Sequence, residues 1–225
     1  MRWGLICLLI WMVFLSQSYG ISVNNDSLSK ENKQKITKNI IMIVTKGTHQ
    51  KHLGSGVLLG DGFGVTNLHV IGKDSKRVWL TFWDNEIQSQ DSARFCVISN
   101  IENDLCIFRV NYEAKKLNLV IDPEDHHYFT IGNPNGKINT WGNAWDLSYL
   151  VYRVNSINST PTSQVLREVI QFSCDHVAHG SSGGALVDRD GALLGIVSAK
   201  NNANHQCVAI PAAIVRDEVQ NAKKS

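Results

Sequence analysis

The sequence predicts a mainly β protein with one helix at its C-terminal end. Three observations carry that expectation. From Ile36 onward the chain is a succession of short apolar runs rich in Val, Ile and aromatic residues, broken by glycine, Asn and Asp, which is the pattern of strands. Asp61-Gly62 and Asp190-Gly191 each sit between apolar runs and suit tight hairpin turns. Only "PAAIVRDEVQNAKKS" has helical spacing.

Taken in order, the strands are expected in "IIMIV", "GSGVLLGDGFGVTN", "RVWLTFW", "RFCVI", "LCIFRV", "YFTIG", "ALVDRDGALLGIV" and "CVAIP". Many short strands with turn signals imply a sandwich or a barrel. The helix starts at Pro211, sets Ile214, Val215 and Val219 on one face, and finishes in lysines that suit a helix C-terminus. Trp79, Trp83, Trp141 and Trp145 are expected to be packing residues.

Ahead of this β region, residues 1–20 hold one charge, Arg2, then an apolar run from Trp3 to Leu15, then Ser18 and Gly20. That is a secretory signal peptide with cleavage expected after Gly20, with Ser18 nearly as good a site. The run is shorter than the roughly 20 residues a membrane span requires, so no membrane anchor is expected after cleavage. Residues 21–35 are polar, too poor in apolar groups to offset ordering entropy, and read as a flexible lead-in. The expected location is therefore secreted or periplasmic. The formal net charge is +2, which offers no footprint for nucleic acid. Four cysteines remain after cleavage, Cys96, Cys106, Cys174 and Cys207; export permits disulfides, and three pairings are open. Asn25 and Asn158 lie in Asn-X-Ser/Thr sequons.

The chemistry centres on "HGSSGG". A serine hydroxyl is a poor nucleophile until a base takes its proton and backbone donors hold the developing oxyanion. Gly180, lacking Cβ, can aim its N–H together with that of the serine two positions on into one hollow, which selects Ser182 and makes Ser181 the spacer. The base is expected at His69, where "GFGVTNLHVI" leaves a strand. His49, His52, His126, His127, His176, His179 and His205 do not follow a strand in that way. His176 and His179 lack a third partner for a metal, so neither a metal nor a cofactor is expected. Asp104 opens an apolar strand, where a buried carboxylate needs a donor such as a ring N–H. His69, Asp104 and Ser182 come in one of the known triad orders.

"GSGVLLGDGFGVTNLHVI", "NDLCIFRV", "IGNPNG", "HGSSGGALVDRDGALLGIVSA" and "VAIPAAIV" together resemble a trypsin-like serine peptidase, closest to the high-temperature-requirement (Deg/HtrA-like) branch of envelope proteases. The likeness runs from about Ile36 to Val219. It implies an all-β fold of two six-stranded antiparallel β-barrels with a C-terminal α-helix: a first lobe at 36–118 carrying His69 and Asp104, and a second at 119–225 carrying Ser182. It implies an oxyanion hole from the N–H groups of Gly180 and Ser182, and a role for Ser198 in holding the aspartate. The substrate is then a protein or peptide; the sequence assigns no oligomeric state.

The departures carry expectations of their own. Trypsin has an aspartate before the nucleophile that receives a newly cut N-terminal isoleucine; here that position is Ser181, so activation by such an ion pair is not expected even though Ile21 follows the cleavage site. The chain stops soon after the helix, leaving no room for the peptide-binding (PDZ) domain that envelope relatives often carry. The specificity pocket is expected to draw on His176, at the position of trypsin's pocket acid, and on Ala199, Lys200 and Cys207. With a turn centred on Ile101, Cys96 and Cys106 face each other, and Cys174 and Cys207 then bracket that pocket.

Two rival readings compete. Gly180-X-Ser182-X-Gly184 also fits the nucleophile elbow of an α/β-hydrolase esterase, with Asp188 or Asp190 and then His205 in order. The residues after Ser182, however, read as a hairpin where that fold needs a helix. A catalytically silent binding protein on the same double barrel would be marked by a missing triad residue, and none is missing.

Overall fold

The computed structural model describes residues 28–47, 51–120, 127–155, 164–201 and 206–225. The expected signal peptide, the first part of the lead-in, both sequons and His49, His126 and His205 lie outside the described residues.

Strands β1 (Ile40–Lys46), β2 (Lys51–Gly60), β3 (Phe63–Asn67), β4 (Arg77–Thr81), β5 (Ile87–Asp91), β6 (Cys96–Asn100) and β7 (Leu105–Arg109) form one antiparallel sheet in the order β5-β4-β1-β2-β3-β7-β6. Strands β8 (Tyr128–Gly132), β9 (Thr140–Asn155), β10 (Gln164–Cys174), β11 (Ala185–Asp188), β12 (Leu193–Asn201) and β13 (Gln206–Pro211) close into a six-stranded barrel. The second lobe is the expected barrel. The first differs from six closed strands because its edge strands, β5 and β6, are two halves of one run broken by a 3-10 turn at Ser92–Arg94. Asp91 holds that turn by accepting from the Ala93 N–H. The first half pairs with β4 and the second with β7, so a covalent turn stands where a ladder would close the barrel.

The apolar runs are continuous because the central strands are buried on both faces. Along β7, Cys106 and Phe108 point into the first lobe's core, while Leu105 and Ile107 point the other way, against Phe129, Ile131, Ala185, Val187 and Ile196 of the second lobe. Along β11, Leu186 turns into the second lobe's core and its neighbours Ala185 and Val187 into the shared one. The period-2 alternation of a strand thus builds a private core and an inter-lobe core at once. The chain crosses between lobes at 117–119: Leu117 N–H donates to Leu59 O, and Leu119 bridges Leu193.

Two helices frame this core. Part of the lead-in expected to be flexible is helical: helix α1 spans Lys30–Thr37, capped by Ser29 Oγ accepting from the Asn32 N–H. Composition underestimated it because two anchors suffice; Leu28 and Ile36 are buried in the inter-lobe core, and the Ser29 cap satisfies one of the free donors of the first turn. The C-terminal helix, Ala212–Lys224, follows Pro211 as expected. It buries Ala212, Val215 and Ala222 and reaches the first lobe through Asn100 Nδ2 donating to Glu218 Oε1 and through Lys223 paired with Asp61. Trp83 and Trp145 are not core residues; they are 43% and 41% exposed, the former beneath the Lys38 ammonium.

The cysteines pair as Cys96–Cys106 and Cys174–Cys207. The first pair does not face directly across the ladder, since Cys96 lies opposite Phe108 and Cys106 opposite Ser99. The turn between β6 and β7 is centred later than Ile101: the ladder closes at Asn100 and Leu105, with Asp104 at φ 53°, and a bulge beyond Cys96 brings the two cysteines diagonally together. Removing both cysteines as Cys96→Ala with Cys106→Ala is expected to cost about 2–4 kcal/mol through the freedom restored to the unfolded chain. Denaturant unfolding of the double variant against wild type measures it.

Candidate active site

His69 lies on helix α2, the single turn Leu68–Ile71 that follows β3 directly. Leaving the sheet there exposes half of its side chain while anchoring its backbone beside Asp104. Asp104 is the last residue of the turn before β7, held in the left-handed region by two donors to its carbonyl, Leu68 N–H and Asn67 Nδ2. Its carboxylate is 9% exposed and accepts three hydrogen bonds: from His69 N–H at 3.0 Å, His69 Nδ1 at 2.7 Å and Ser198 Oγ at 3.2 Å. A buried carboxylate of this kind is tolerable because it is so well supplied with donors. With Nδ1 donating to Asp104, Nε2 of His69 is left as an acceptor facing the cleft.

Ser198 enters from the second lobe. It sits at a bulge in β12 between Val197 and Ala199, outside the β12–β13 ladder. A bulge frees a residue from its ladder and re-aims its side chain; here Ser198 Oγ reaches Asp104 while its carbonyl accepts from Ser182 Oγ at 3.0 Å. His69, Asp104, Ser198 and Ser182 therefore form one continuous path across the seam between the lobes, and the Ser182 hydroxyl is turned toward Ser198 O.

The loop from His179 to Gly184 can be accounted for peptide by peptide. Four successive carbonyls are held: His179 O by Asn135 N–H, Gly180 O by Ser55 Oγ, Ser181 O by Gly184 N–H, and Ser182 O by Ser55 N–H. Ser181 N–H donates to Ala178 O and Gly183 N–H to Val197 O. Three donors are left over: among the described residues, the N–H groups of His179, Gly180 and Ser182 have no intramolecular acceptor. Because N–H and C=O point opposite ways in a trans peptide, fixing the carbonyls of His179 and Ser181 aims the N–H groups of Gly180 and Ser182 away from the supporting chain. All three glycines are obligatory: a Cβ on Gly184 would lie 2.5 Å from Ile131 O. Gly180 has φ 94°, and a Cβ there would lie 2.6 Å from Asn133 O; a Cβ on Gly183, at φ 84°, would lie 2.0 Å from Ser55 O.

Beside Ser182 is a pocket of about 180 Å³ lined by Val177, Ala178, His179, Val197, Ser198, Ala199 and Lys200. Ala199 and Lys200 are in its wall, and His176 and Cys207 are not. The His176 side chain is 62% exposed and turns to Asp175 instead. Asp175 is itself held by the N–H and Nδ2 of Asn143. Cys207 is buried in the second lobe's core by its disulfide. A larger, mainly apolar hollow of about 510 Å³ flanks His69 on the first lobe, with Leu68, Ile71, Ile101 and Cys96 in its wall. Sequence reasoning passed over Ser55, Thr66, Asn67, Asn133 and Asn135; each lay in a motif already singled out, but nothing local told what it would touch.

The model of the trypsin-like peptidase domain matches residues 54–196, more than half of the chain. The chain belongs to the trypsin-like peptidase family. No curated protein matches it significantly. Among solved structures it is similar to the active form of the Rv3671c protease from M. tuberculosis, with a TM-score of 0.71 and 20% identity over 86% of this chain and 87% of that one. The serine endoprotease from Yersinia pestis superposes with a TM-score of 0.65 and 22% identity, over 88% of this chain and 67% of that one. The HtrA-type protease AlgW with a tripeptide does so with 0.66 and 23%, over 85% and 62%. These likenesses are likenesses of fold. For a trypsin-like peptidase domain the substrate is a peptide, and the esterase reading falls: strand β11 begins at Ala185, directly after Gly184, where an elbow needs a helix.

Proposed function

We propose that the chain is a secreted or periplasmic serine endopeptidase working through an acyl-enzyme. The observation that carries the reading is the continuous path His69–Asp104–Ser198–Ser182 lying beside two unpaired N–H groups of one loop. In this mechanism the Ser182 hydroxyl turns from Ser198 O to His69 Nε2 by rotation about its Cα–Cβ bond. Oγ attacks the peptide carbonyl carbon as Nε2 takes its proton. The carbonyl oxygen becomes an oxyanion held by the N–H groups of Gly180 and Ser182. His69 then gives the proton to the leaving nitrogen, the C–N bond breaks, and water repeats the sequence to release the acid. Asp104 keeps Nδ1 protonated, and Ser198 Oγ keeps Asp104 in place. Base, nucleophile and anion donors are all amino-acid groups, so the chemistry calls for no cofactor.

The pocket beside Ser182 is small, its wall sets Val177, Ala178, Val197 and Ala199 beside the polar His179, Ser198 and Lys200, and no carboxylate lines it. The residue before the scissile bond is accordingly expected to be small and aliphatic, alanine or valine, rather than lysine or arginine. Digestion of a peptide library followed by mass spectrometry tests both parts of the reading. Internal cuts after small aliphatic residues are the expected result; trimming from the ends, or cuts after lysine and arginine, would overturn it.

A further inference from the structure

The position before the nucleophile is Ser181, a residue unable to form the acid-to-N-terminus ion pair. Among the described residues its hydroxyl does no more than accept from Ala178 N–H. Something else must hold the loop, and we infer that Ser55 does: it is the positioning residue that keeps the anion-binding N–H groups of Gly180 and Ser182 in register from the opposite lobe. The inference rests on the peptidase reading above.

Ser55, on β2, is completely buried and contacts both residues that supply those N–H groups. Its own N–H donates to Ser182 O at 2.7 Å and its Oγ to Gly180 O at 2.7 Å. A serine hydroxyl has one proton and two lone pairs. Asn133 N–H at 2.8 Å and Asn133 Nδ2 at 3.1 Å both donate to Ser55 Oγ, so the single proton is left to Gly180 O. Asn133, likewise completely buried, is fixed by a second Nδ2 bond to Ile41 O. Ser55 O accepts from Thr66 Oγ1 at 2.7 Å, and Thr66 stands three residues before His69 in the same strand and turn. One buried residue therefore connects the strand leading to the base with the loop carrying the nucleophile. Without its hydroxyl, Gly180 O is a buried acceptor lacking its partner, and the 180–181 peptide, one Cα away from the Gly180 N–H, keeps only the Ser181 N–H bond to Ala178 O.

The consequence is specific to the oxyanion. In Ser55→Ala, kcat is expected to fall by roughly 10- to 100-fold, a part of the 10²–10³ that loss of a whole oxyanion donor costs, with KM within about twofold of wild type. The decisive comparison uses a valine peptide trifluoromethyl ketone, which closes to a hemiketal oxyanion on Ser182, and the matching methyl ketone as a ligand of the same shape with far less tendency to do so. The variant should lose affinity for the first by the factor lost in kcat and keep affinity for the second. Equal loss for both ketones, or no loss for either, would overturn the inference. If Ser55→Ala does not fold, Ser55→Cys keeps the volume with a weaker donor and should show the same selective loss at smaller size. A wild type that neither reacts with a fluorophosphonate nor binds the trifluoromethyl ketone would remove the peptidase reading itself, an outcome distinct from wild-type activity that is indifferent to Ser55.

Discussion

Replacing Ser182 with alanine is expected to lower kcat/KM on a fluorogenic peptide by a factor on the order of 10⁵ to 10⁶, the loss seen when residues acting as a unit lose one member. The size follows from the chemistry: with no hydroxyl there is no acyl-enzyme, and only the oxyanion donors and the cleft remain, leaving about 10³- to 10⁴-fold over water. Stability should hardly change. Among the described residues Ser182 Oγ makes one hydrogen bond, to the carbonyl of Ser198, worth about 1 kcal/mol net. Thermal unfolding followed by circular dichroism alongside the kinetics separates lost chemistry from lost fold. A Ser182→Ala enzyme within tenfold of wild type would place the nucleophile elsewhere.

Asp104→Asn is expected to lower kcat by about 10⁴, mostly through the tautomer of His69. The carboxylate accepts from three donors and offers none. An asparagine has one acceptor oxygen and an NH₂ group. Whichever way it turns, a donor faces either His69 N–H or His69 Nδ1. The ring relieves the second clash by moving its proton to Nε2, where it can no longer accept one from Ser182. Nitrogen chemical shifts of the His69 ring read the tautomer independently of activity: Nδ1–H in wild type and Nε2–H in the variant. An unchanged tautomer with a large drop in kcat would mean that Asp104 acts in another way.

Much of this architecture was legible because local pattern and tertiary role coincide. Strands β7 and β11 read as unbroken apolar runs since both of their faces are buried, one in each core. Asp61-Gly62 turned as written, with φ values of 55° and 75°. What escaped was long-range. Helix α1 depends on two side chains finding a groove made by residues far along the chain. Strand β5 is a polar edge strand with no buried residue, held by its pairing with β4, and its composition carried no strand signal. His176 was placed in the pocket by counting back from Ser182, and the count failed because the segment turns outward to Asp175 before reaching the pocket wall. Ser55 was quoted in its motif without a role, for its partner, Gly180, lies 125 residues away.

The central claim is that Ser182 becomes covalently acylated by the carbonyl it attacks. Rapid mixing of the enzyme with a peptide ester substrate, acid quench within the first turnover, and mass spectrometry of the digested protein tests it directly. The account predicts the acyl mass on the peptide containing Ser182, absent in Ser182→Ala and greatly diminished in His69→Ala. Turnover of the ester with no acylated intermediate, or an acyl group on any other residue, would contradict it.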